Sequence, residues 1–213
     1  MLIDHWPLRH LRLTTERLVL RLPDEEELAA LADVAASGVH KPGERPFLTP
    51  WTDRPPAERA RQVIQGHWGS LAEWTPQDWV LNLGVFRDAT PIGMVTLRAR
   101  DFAILREVKT ASWLGLPHHG QGLGTEARRA LLHLAFEGLD AEAALTEVFQ
   151  DNLGSQGVSR KLGYLPDGIS RDVLHGRPVI SDRLRLTREH WQEGGHPSVE
   201  VAGLDECRSW FIA

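Results

Sequence analysis

Cysteine is almost absent from this sequence, and long apolar runs are missing altogether. Cys207 is the only cysteine among 213 residues, which excludes a disulfide within the chain and favours a reducing compartment. Residues 1–12 contain no apolar stretch of signal-peptide length, and no stretch elsewhere is long enough to span a membrane. We therefore expect a cytoplasmic protein that does not bind membranes.

An excess of positive charge is also missing. Lysine and arginine number 24 against 29 aspartates and glutamates, which gives a formal net charge of −5. Because nucleic-acid binding depends on a basic surface, this balance argues against a nucleic-acid partner. The hydrophobic content of 42% is ordinary for a globular domain, and the length suits either one domain with a sizeable core or one domain with a terminal extension.

What the sequence does contain is a glycine-rich loop between a predicted strand and a predicted helix. Glycine occupies every second position at Gly120, Gly122 and Gly124, directly before Thr125. Glycine leaves backbone N–H groups uncovered, and the N-terminus of the helix adds free donors and the positive end of its dipole. The segment therefore predicts a site that binds phosphate through main-chain groups.

Two common phosphate-binding loops do not fit this spacing. A P-loop needs Lys and then Ser or Thr after its last glycine, but Gly124 is followed by Thr125 and Glu126. A dinucleotide-binding fingerprint places its third glycine three residues after the second, whereas here the interval is two. A plain glycine-rich turn stays open as the alternative.

The loop resembles the pyrophosphate loop of the GNAT superfamily of acyl-CoA N-acyltransferases, whose pattern is Arg or Gln, two residues, Gly, one residue, and Gly or Ala. Gly122 and Gly124 match this pattern, while His119 stands where the family has Arg or Gln. Because such a loop binds mostly through its main chain, the departure at His119 changes the expected function little.

A second segment carries the same resemblance. Asn152 and Ser155 precede a helix that ends in Leu162-Gly163-Tyr164, similar to the family's Asn-x-x-Ser followed by Leu-Gly-Phe or Leu-Gly-Tyr. In the family the asparagine contacts the pantetheine arm, and the serine hydroxyl lies near the thioester sulfur and protonates the leaving thiolate. An ordinary helix cap at Asn152, with Ser155 as a polar first-turn residue, is the alternative.

The order of the predicted elements agrees with the resemblance over roughly residues 12–191. It implies the α/β GNAT fold, with a central, mixed and strongly twisted sheet of about seven strands and helices on both faces. We expect residues 1–191 to form the acyltransferase domain. Residues 192–213, in which Val199–Ala202 alternates as a short strand, are expected to pack on the domain or on a neighbouring subunit of a homo-oligomer.

The resemblance implies an enzyme that moves an acetyl or succinyl group from acetyl-CoA or succinyl-CoA to a primary amine, by direct attack and without a metal. The acceptor would be a small molecule or the N-terminus or a lysine of a protein. Besides Asn152 and Ser155, the expected CoA-binding residues are Trp113, Leu114, Gly115, Leu116, His119, Gly120, Gln121, Gly122, Leu123, Gly124 and Thr125.

The general base is less well defined. Many GNAT relatives carry a glutamate on the strand before the glycine loop, but here that strand reads Val108-Lys109-Thr110-Ala111-Ser112. We take Asp101 as the catalytic partner of Ser155, with a turn-capping aspartate as the alternative. If no residue replaces the missing glutamate, the chain is instead a catalytically silent acyl-CoA-binding sensor, although the presence of Ser155 argues against this.

A loop rich in proline, residues 38–56, is the predicted surface for the acyl group and the acceptor. Phe47 and Trp51 are expected to wall that pocket, with core packing as the alternative. A succinyl carboxylate needs cationic partners, which Lys41 and Arg45 would supply unless they are simply solvated.

Segments of this loop also resemble particular subgroups of the family. Pro50-Trp51 is similar to the Pro-Trp segment of the branch that contains the ribosomal-protein N-terminal acetyltransferases. A wider set of segments resembles an actinobacterial subgroup described as preferring succinyl-CoA: Trp6-Pro7-Leu8, Pro46-Phe47, Pro50-Trp51-Thr52, Trp113-Leu114-Gly115-Leu116 and Val199-Glu200-Val201.

Overall fold

A nine-stranded mixed sheet forms the centre of the computed structural model, which describes residues 1–212. The strands follow the order β7-β8-β6-β5-β4-β3-β2-β1-β9 across the sheet, and all neighbours are antiparallel except β5 and β6. Their bounds are β1 Arg12–Thr14, β2 Val19–Arg21, β3 Asp78–Arg87, β4 Thr90–Arg100, β5 Glu107–Leu114, β6 Ala143–Phe149, β7 Leu165–Leu174, β8 Arg177–Thr187 and β9 Glu200–Ala202.

Eight α-helices connect and cover these strands in the described part of the chain. A π-helical turn, Leu134–Gly138, continues the fifth helix, and short 3₁₀ turns lie at Pro7–His10, Trp51–Asp53, Leu116–His118 and Arg208–Trp210. The helices are α1 Leu2–His5, α2 Glu25–Ser37, α3 Pro56–Ala72, α4 Phe102–Leu105, α5 Leu123–His133, α6 Leu153–Lys161, α7 Arg188–Glu193 and α8 Leu204–Cys207.

The predicted fold class is confirmed, with two more strands than expected. Residues 12–21 form two short strands joined by a turn. The C-terminal segment adds β9, which pairs with β1 at the edge of the sheet. None of the helices within residues 1–212 has the length and apolar character that a membrane crossing requires.

The helix α2 shows how the local sequence determines where a helix begins. Asp24 accepts a hydrogen bond from the backbone N–H of Glu27 (2.8 Å), and the Glu27 carboxylate accepts one from the backbone N–H of Asp24 (2.9 Å). This reciprocal capping box satisfies two donors at the helix start. The helix therefore begins directly after Asp24, and its buried face consists of Leu28, Leu31, Ala32 and Ala35.

The core lies in two layers, one on each face of the sheet. The helices α2 and α3 cover one face with a small cluster that includes Met94 of β4. The helix α5 and the C-terminal segment cover the larger cluster on the other face, where Leu131 and Phe211 are fully buried. The sheet therefore has a helical layer on both sides.

The C-terminal segment packs on its own domain. Phe211 is fully buried against Trp74 and Trp79, and the Trp74 indole donates to the carbonyl of Trp210 (3.1 Å). The apolar residues of this segment are therefore covered by their own chain. Packing on the same chain is one of the two outcomes expected for this tail, and a homo-oligomer stays a prediction.

Gly93 of β4 allows β4 and β5 to pack closely at the point where β5 leads into the glycine loop. A Cβ atom at this position would lie 2.3 Å from the carbonyl oxygen of Trp113 and 2.7 Å from Cα of Leu114. Both atoms belong to the backbone, so a side chain would displace β5 itself. We expect Gly93→Ala to lower the free energy of unfolding by about 1–3 kcal/mol.

A matched substitution in the helix α3 serves as the control. Gly66 has no atom within 4 Å of an added Cβ, so Gly66→Ala should raise stability by about 0.5–1 kcal/mol through helix propensity. Urea denaturation of both variants measures the difference. A Gly93→Ala protein as stable as the wild type would contradict this account of the strand pair.

Candidate active site

The strands β5 and β6 separate soon after they begin. Glu107 to Lys109 pair in parallel with Ala143 to Leu145, and no rung follows, although β5 continues to Leu114 and β6 to Phe149. Carboxyl ends of parallel strands lie at the same edge of a sheet, so the loops that follow both strands face one crevice. Such a parting within a sheet is a common position for a ligand.

The edge of β5 that faces this crevice has free main-chain groups. The carbonyl of Thr110 accepts a hydrogen bond from Oγ1 of Thr146 on β6 (3.2 Å), so the main chain of Thr110 points toward β6. Because main-chain groups alternate along a strand, those of Ser112 and Leu114 point the same way. His119 Nε2 donates to the Leu114 carbonyl (3.0 Å), which leaves the Ser112 groups and the Leu114 N–H toward the crevice.

The glycine loop has the geometry of an anion site. Gly120 and Gly122 adopt left-handed backbone conformations, with φ of 74° and 78°. The first helical hydrogen bond of α5 runs from the N–H of Glu126 to the carbonyl of Gly122 (3.0 Å). Within the described residues, the N–H groups of residues 120–125 have no hydrogen-bond acceptor, and no atom lies within 4 Å of an added Cβ at Gly120. Six donors are therefore open to a bound phosphate.

Two arginines support this loop from distant parts of the chain. Arg17 donates to the Gln121 carbonyl (3.1 Å) and to the Glu126 carboxylate (2.7 Å), and Arg87 donates to the Gln121 side chain (3.1 Å). Sequence reasoning missed both arginines. No local pattern marks them, since Arg17 lies 104 residues from Gln121 along the chain.

Glu126 is the anchor of this support. Its carboxylate is largely buried and accepts hydrogen bonds from the Thr15 hydroxyl (2.7 Å) and from the backbone and side chain of Arg17. Burial acts to raise the pKa of Glu126, but the hydrogen bonds from Thr15 and Arg17 outweigh it and hold the pKa below its ordinary value. The carboxylate is therefore ionised at neutral pH and keeps Arg17 beside the loop.

The second predicted motif lies at the start of α6, directly after β6. Asn152 caps this helix, because its Oδ1 accepts from the backbone N–H of Ser155 (3.1 Å), as the capping alternative predicted. The Asn152 Nδ2 and the half-buried Ser155 hydroxyl have no hydrogen-bond partner within residues 1–212. The helix α5 follows the loop after β5 and α6 follows β6, so the N-termini of both helices lie at the edge of the sheet where the crevice opens.

The aromatic residues predicted to wall the acyl pocket lie together on the face of the sheet that α2 and α3 cover. Phe47 and Trp51 have ring centroids 5.3 Å apart, and Trp51 lies 5.8 Å from Trp113 of β5. The same three rings pack against the small core cluster, as the core-packing alternative predicted, and the role of Phe47 and Trp51 as pocket walls stays a prediction. Lys41 and Arg45 are exposed on the loop beside these rings and form no ion pair within the described residues.

Asp101 is not brought to this site. It follows the end of β4, beyond the rung that joins Arg98 to Lys109, whereas the glycine loop follows Leu114, whose partner on β4 is Gly93. Eight residues of strand separate Asp101 from Gly93, which is roughly 27 Å. The exposed Asp101 instead opens the short helix α4 in a left-handed conformation (φ 50°), so a catalytic role for Asp101 has no support in this geometry.

Metal ligands were not predicted for this site. In residues 1–212 no group of three or more histidine, cysteine, aspartate or glutamate side chains is arranged to hold a metal ion.

Comparison with known proteins assigns the family. Residues 17–165 match the model of the acetyltransferase (GNAT) domain, which covers more than half of the chain. The chain belongs to the GNAT acetyltransferase family. It is an N-acetyltransferase with acetyl-CoA as co-substrate, which agrees with the main-chain phosphate site and the parted strands described above.

Individual relatives agree with this assignment. Over 182 residues the chain is 25% identical to YdaF of Bacillus subtilis, a candidate ribosomal N-acetyltransferase, covering 83% of this chain and 94% of YdaF. The structure is similar to RimL, a ribosomal L7/L12 α-N-protein acetyltransferase solved with coenzyme A (TM-score 0.65, 19% identity, 81% of this chain and 95% of RimL). It is also similar in fold to a GCN5-related N-acetyltransferase from Brucella melitensis (TM-score 0.68, 16% identity, 85% of this chain and 80% of that one).

The free space around Gly120 allows the phosphate site to be tested by substitution. Alanine at this left-handed position costs about 1–2 kcal/mol of backbone strain and turns or covers the free N–H groups. We expect Gly120→Ala to weaken coenzyme A binding at least tenfold by isothermal titration calorimetry.

Gly195→Ala is the matched control, since Gly195 also has a positive φ (56°) and open space at its Cβ but lies far from the loop in sequence, beyond α7. Both variants should lose similar stability, while only Gly120→Ala loses affinity. Equal coenzyme A affinity in the two variants would rule out the loop as the phosphate site.

Proposed function

We propose that this enzyme transfers an acyl group from acyl-CoA to a primary amine by direct attack within a ternary complex. The observation that carries the proposal is the set of free N–H groups over residues 120–125, next to a strand edge with unpaired main-chain groups. A diphosphate fits the first and an extended pantetheine arm fits the second, as a peptide adds to a free sheet edge. A main-chain N–H of this edge, at Ser112 or Leu114, is placed to stabilise charge on the thioester oxygen.

Ser155 is proposed as the proton donor to the leaving sulfur. Its hydroxyl is at the first turn of α6, where the positive end of the helix dipole favours a developing thiolate. The lack of another partner for this hydroxyl supports the assignment. The amide of Asn152 keeps its NH₂ group available for the pantetheine arm while its oxygen caps the helix.

For the acceptor, the names of YdaF and RimL favour the N-terminal amine of a protein, and a small amine is the other class that the site would take. The location is expected to be cytoplasmic.

A catalytically silent sensor remains the second candidate, favoured by Lys109 and Ala111 on β5, where relatives carry a glutamate. Release of free thiol from acyl-CoA on addition of an amine distinguishes the two, because a sensor binds acyl-CoA and releases none.

Replacing Ser155 tests the proton donor. We expect Ser155→Ala to lower kcat by about 10²–10⁴-fold while leaving the Kd of acetyl-CoA within twofold, since the hydroxyl acts on the leaving group rather than on the nucleotide. Ser159→Ala, on the same helix, is the control. Its hydroxyl is buried and has no hydrogen-bond partner among the described residues, so its loss should leave kcat unchanged. Equal kcat in the two variants would remove Ser155 from the mechanism.

We also propose that the enzyme accepts succinyl-CoA besides acetyl-CoA and prefers it, with Lys41 and Arg45 as the partners of the distal succinyl carboxylate. Their exposure beside the aromatic rings, without ion pairs to other described residues, supports this role. A donor panel read by mass spectrometry should show faster transfer of succinyl than of acetyl.

The double variant Lys41→Ala/Arg45→Ala should lower kcat/KM for succinyl-CoA about tenfold or more and leave acetyl-CoA unchanged, because only succinyl carries the extra charge. Arg160→Ala/Lys161→Ala removes the same charge from the far end of α6 and should change neither donor. If the wild type prefers acetyl-CoA, the succinyl assignment is wrong and the acyl transfer itself stands.

A further inference from the structure

A cavity of about 310 Å³ lies beside the point where β5 and β6 separate. Four strands contribute to its wall: β5, β6, β7 and β8. Its lining residues are Lys109, Leu145, Thr146, Glu147, Asp167, Arg183 and Arg185. No part of the function described so far uses this cavity.

The strand register places the cavity on the face of the sheet that carries the aromatic rings. Lys109 and Trp113 lie on the same face of β5, because they are four residues apart in one strand. Leu145 is the register partner of Lys109, and Glu147 follows two residues later on the same face of β6. The helices α5 and α6 cover the opposite face, where Arg128 donates to Thr110 and Gln156 donates to Asp182. A ligand in the cavity therefore reaches the crevice from the side that these helices leave open.

Glu147 is positioned at the crevice itself. It lies beyond the last paired rung, and continuing the register of Lys109 with Leu145 brings it level with Ala111 on β5. Ala111 is exposed and has no side chain beyond Cβ, so it leaves space in front of Glu147. The main-chain groups of the next residue, Ser112, face the crevice from the strand edge.

Some charged side chains in the cavity have ion-pair partners and others have none among the described residues. Arg185 is neutralised by Glu107 (2.5 Å) and Asp167 (3.4 Å). Arg183 donates only to the backbone carbonyl of Asp167 (2.7 and 3.1 Å). Among residues 1–212, neither Arg183, Lys109 nor Glu147 has an ion-pair partner. One carboxylate and two cations are thus free to face a ligand.

We infer that this cavity is the acceptor site, in which Glu147 binds the ammonium of the acceptor and takes its proton, while Lys109 and Arg183 bind an anionic group of the same molecule. The inference rests on the proposed acyl transfer. The substrate class is a primary amine that carries a nearby carboxylate or phosphate. A carboxylate from β6 thereby supplies the base that β5, with Lys109 and Ala111, does not.

The proton balance of the step is complete with the residues present. The ammonium gives one proton to the Glu147 carboxylate, and the nitrogen lone pair forms the bond to the thioester carbon. The carbon–sulfur bond breaks, its electron pair stays on sulfur, and the Ser155 hydroxyl protonates that sulfur. The second nitrogen proton restores the Ser155 hydroxyl, and Glu147 releases its proton to solvent.

Replacing Glu147 tests the base. Glu147→Gln should lower kcat/KM for the amine at pH 7 by at least 100-fold, with the Kd of acetyl-CoA within twofold of the wild type. The deficit should shrink as the pH rises toward the pKa of the free amine, because the acceptor then arrives neutral. The charged groups that face Glu147 are Lys109, Arg183, Arg185 and Asp167, all of which are unchanged in the variant.

Glu142→Gln is the control, because Glu142 is an exposed carboxylate just before the opposite end of β6. It should match the wild type at every pH. A Glu147→Gln enzyme with wild-type kcat/KM, or with a deficit that does not depend on pH, would overturn the role of Glu147 as base.

Two amines of matched length test the anion-binding part. The wild type should bind β-alanine at least tenfold more tightly than propylamine, measured by calorimetry in the presence of coenzyme A. The preference should disappear in Lys109→Met/Arg183→Met. Equal binding of the two amines by the wild type would overturn the acceptor-site assignment.

The binding measurement and the thiol-release assay separate this inference from the function on which it rests. Tight binding of β-alanine without thiol release would support the cavity as an amine site and reject acyl transfer. Thiol release with unaltered activity of Glu147→Gln would support acyl transfer and reject this base.

Discussion

The unpaired stretch of β5 is the constraint on which the rest of this structure depends. Unpaired main-chain groups inside a sheet are costly unless water or a ligand satisfies them. Here Thr146 satisfies the carbonyl of Thr110 at the start of the opening, and His119 satisfies that of Leu114 at its end. The groups of Ser112 remain between them. The protein therefore satisfies the two ends of the gap itself and leaves a segment a few residues long for an extended ligand.

The glycine loop depends on the same geometry, because β5 delivers the chain to it. A loop with free N–H groups and little side-chain packing has few interactions of its own, so its position must come from elsewhere. Arg17 and Glu126 connect it to the β1–β2 turn, and Arg87 connects it to the β3–β4 turn. The charge of Arg17 is balanced by Glu126, whereas the Arg87 guanidinium adds positive charge beside the loop, which strengthens an anion site. Arg87 thus provides both support and charge.

Local signals made part of this predictable from sequence. The glycine spacing, the cap at Asn152 and the capping box at Asp24 act within a few residues, so the loop and the helix starts follow from the chain alone. Strand register acts over long separations, so Arg17 and Glu147 could not be found in this way. Asp101 was misplaced for the same reason, since nearness in sequence to β5 does not say at which end of the strand it lies. The antiparallel register of β4 and β5 decides that question.

A contact outside the sheet also connects the two sides of the crevice. His175, in the turn between β7 and β8, contacts the Asp53 carboxylate (2.7 Å), and Asp53 ends the short turn that contains Trp51. Trp51 packs on Trp113 of β5, while β8 pairs with β6. The His175–Asp53 contact therefore joins the flank attached to β6 with the flank attached to β5, across the opening. The contact closes a ring of contacts around the gap, so the loop that carries the aromatic rings helps to hold the two flanks in position.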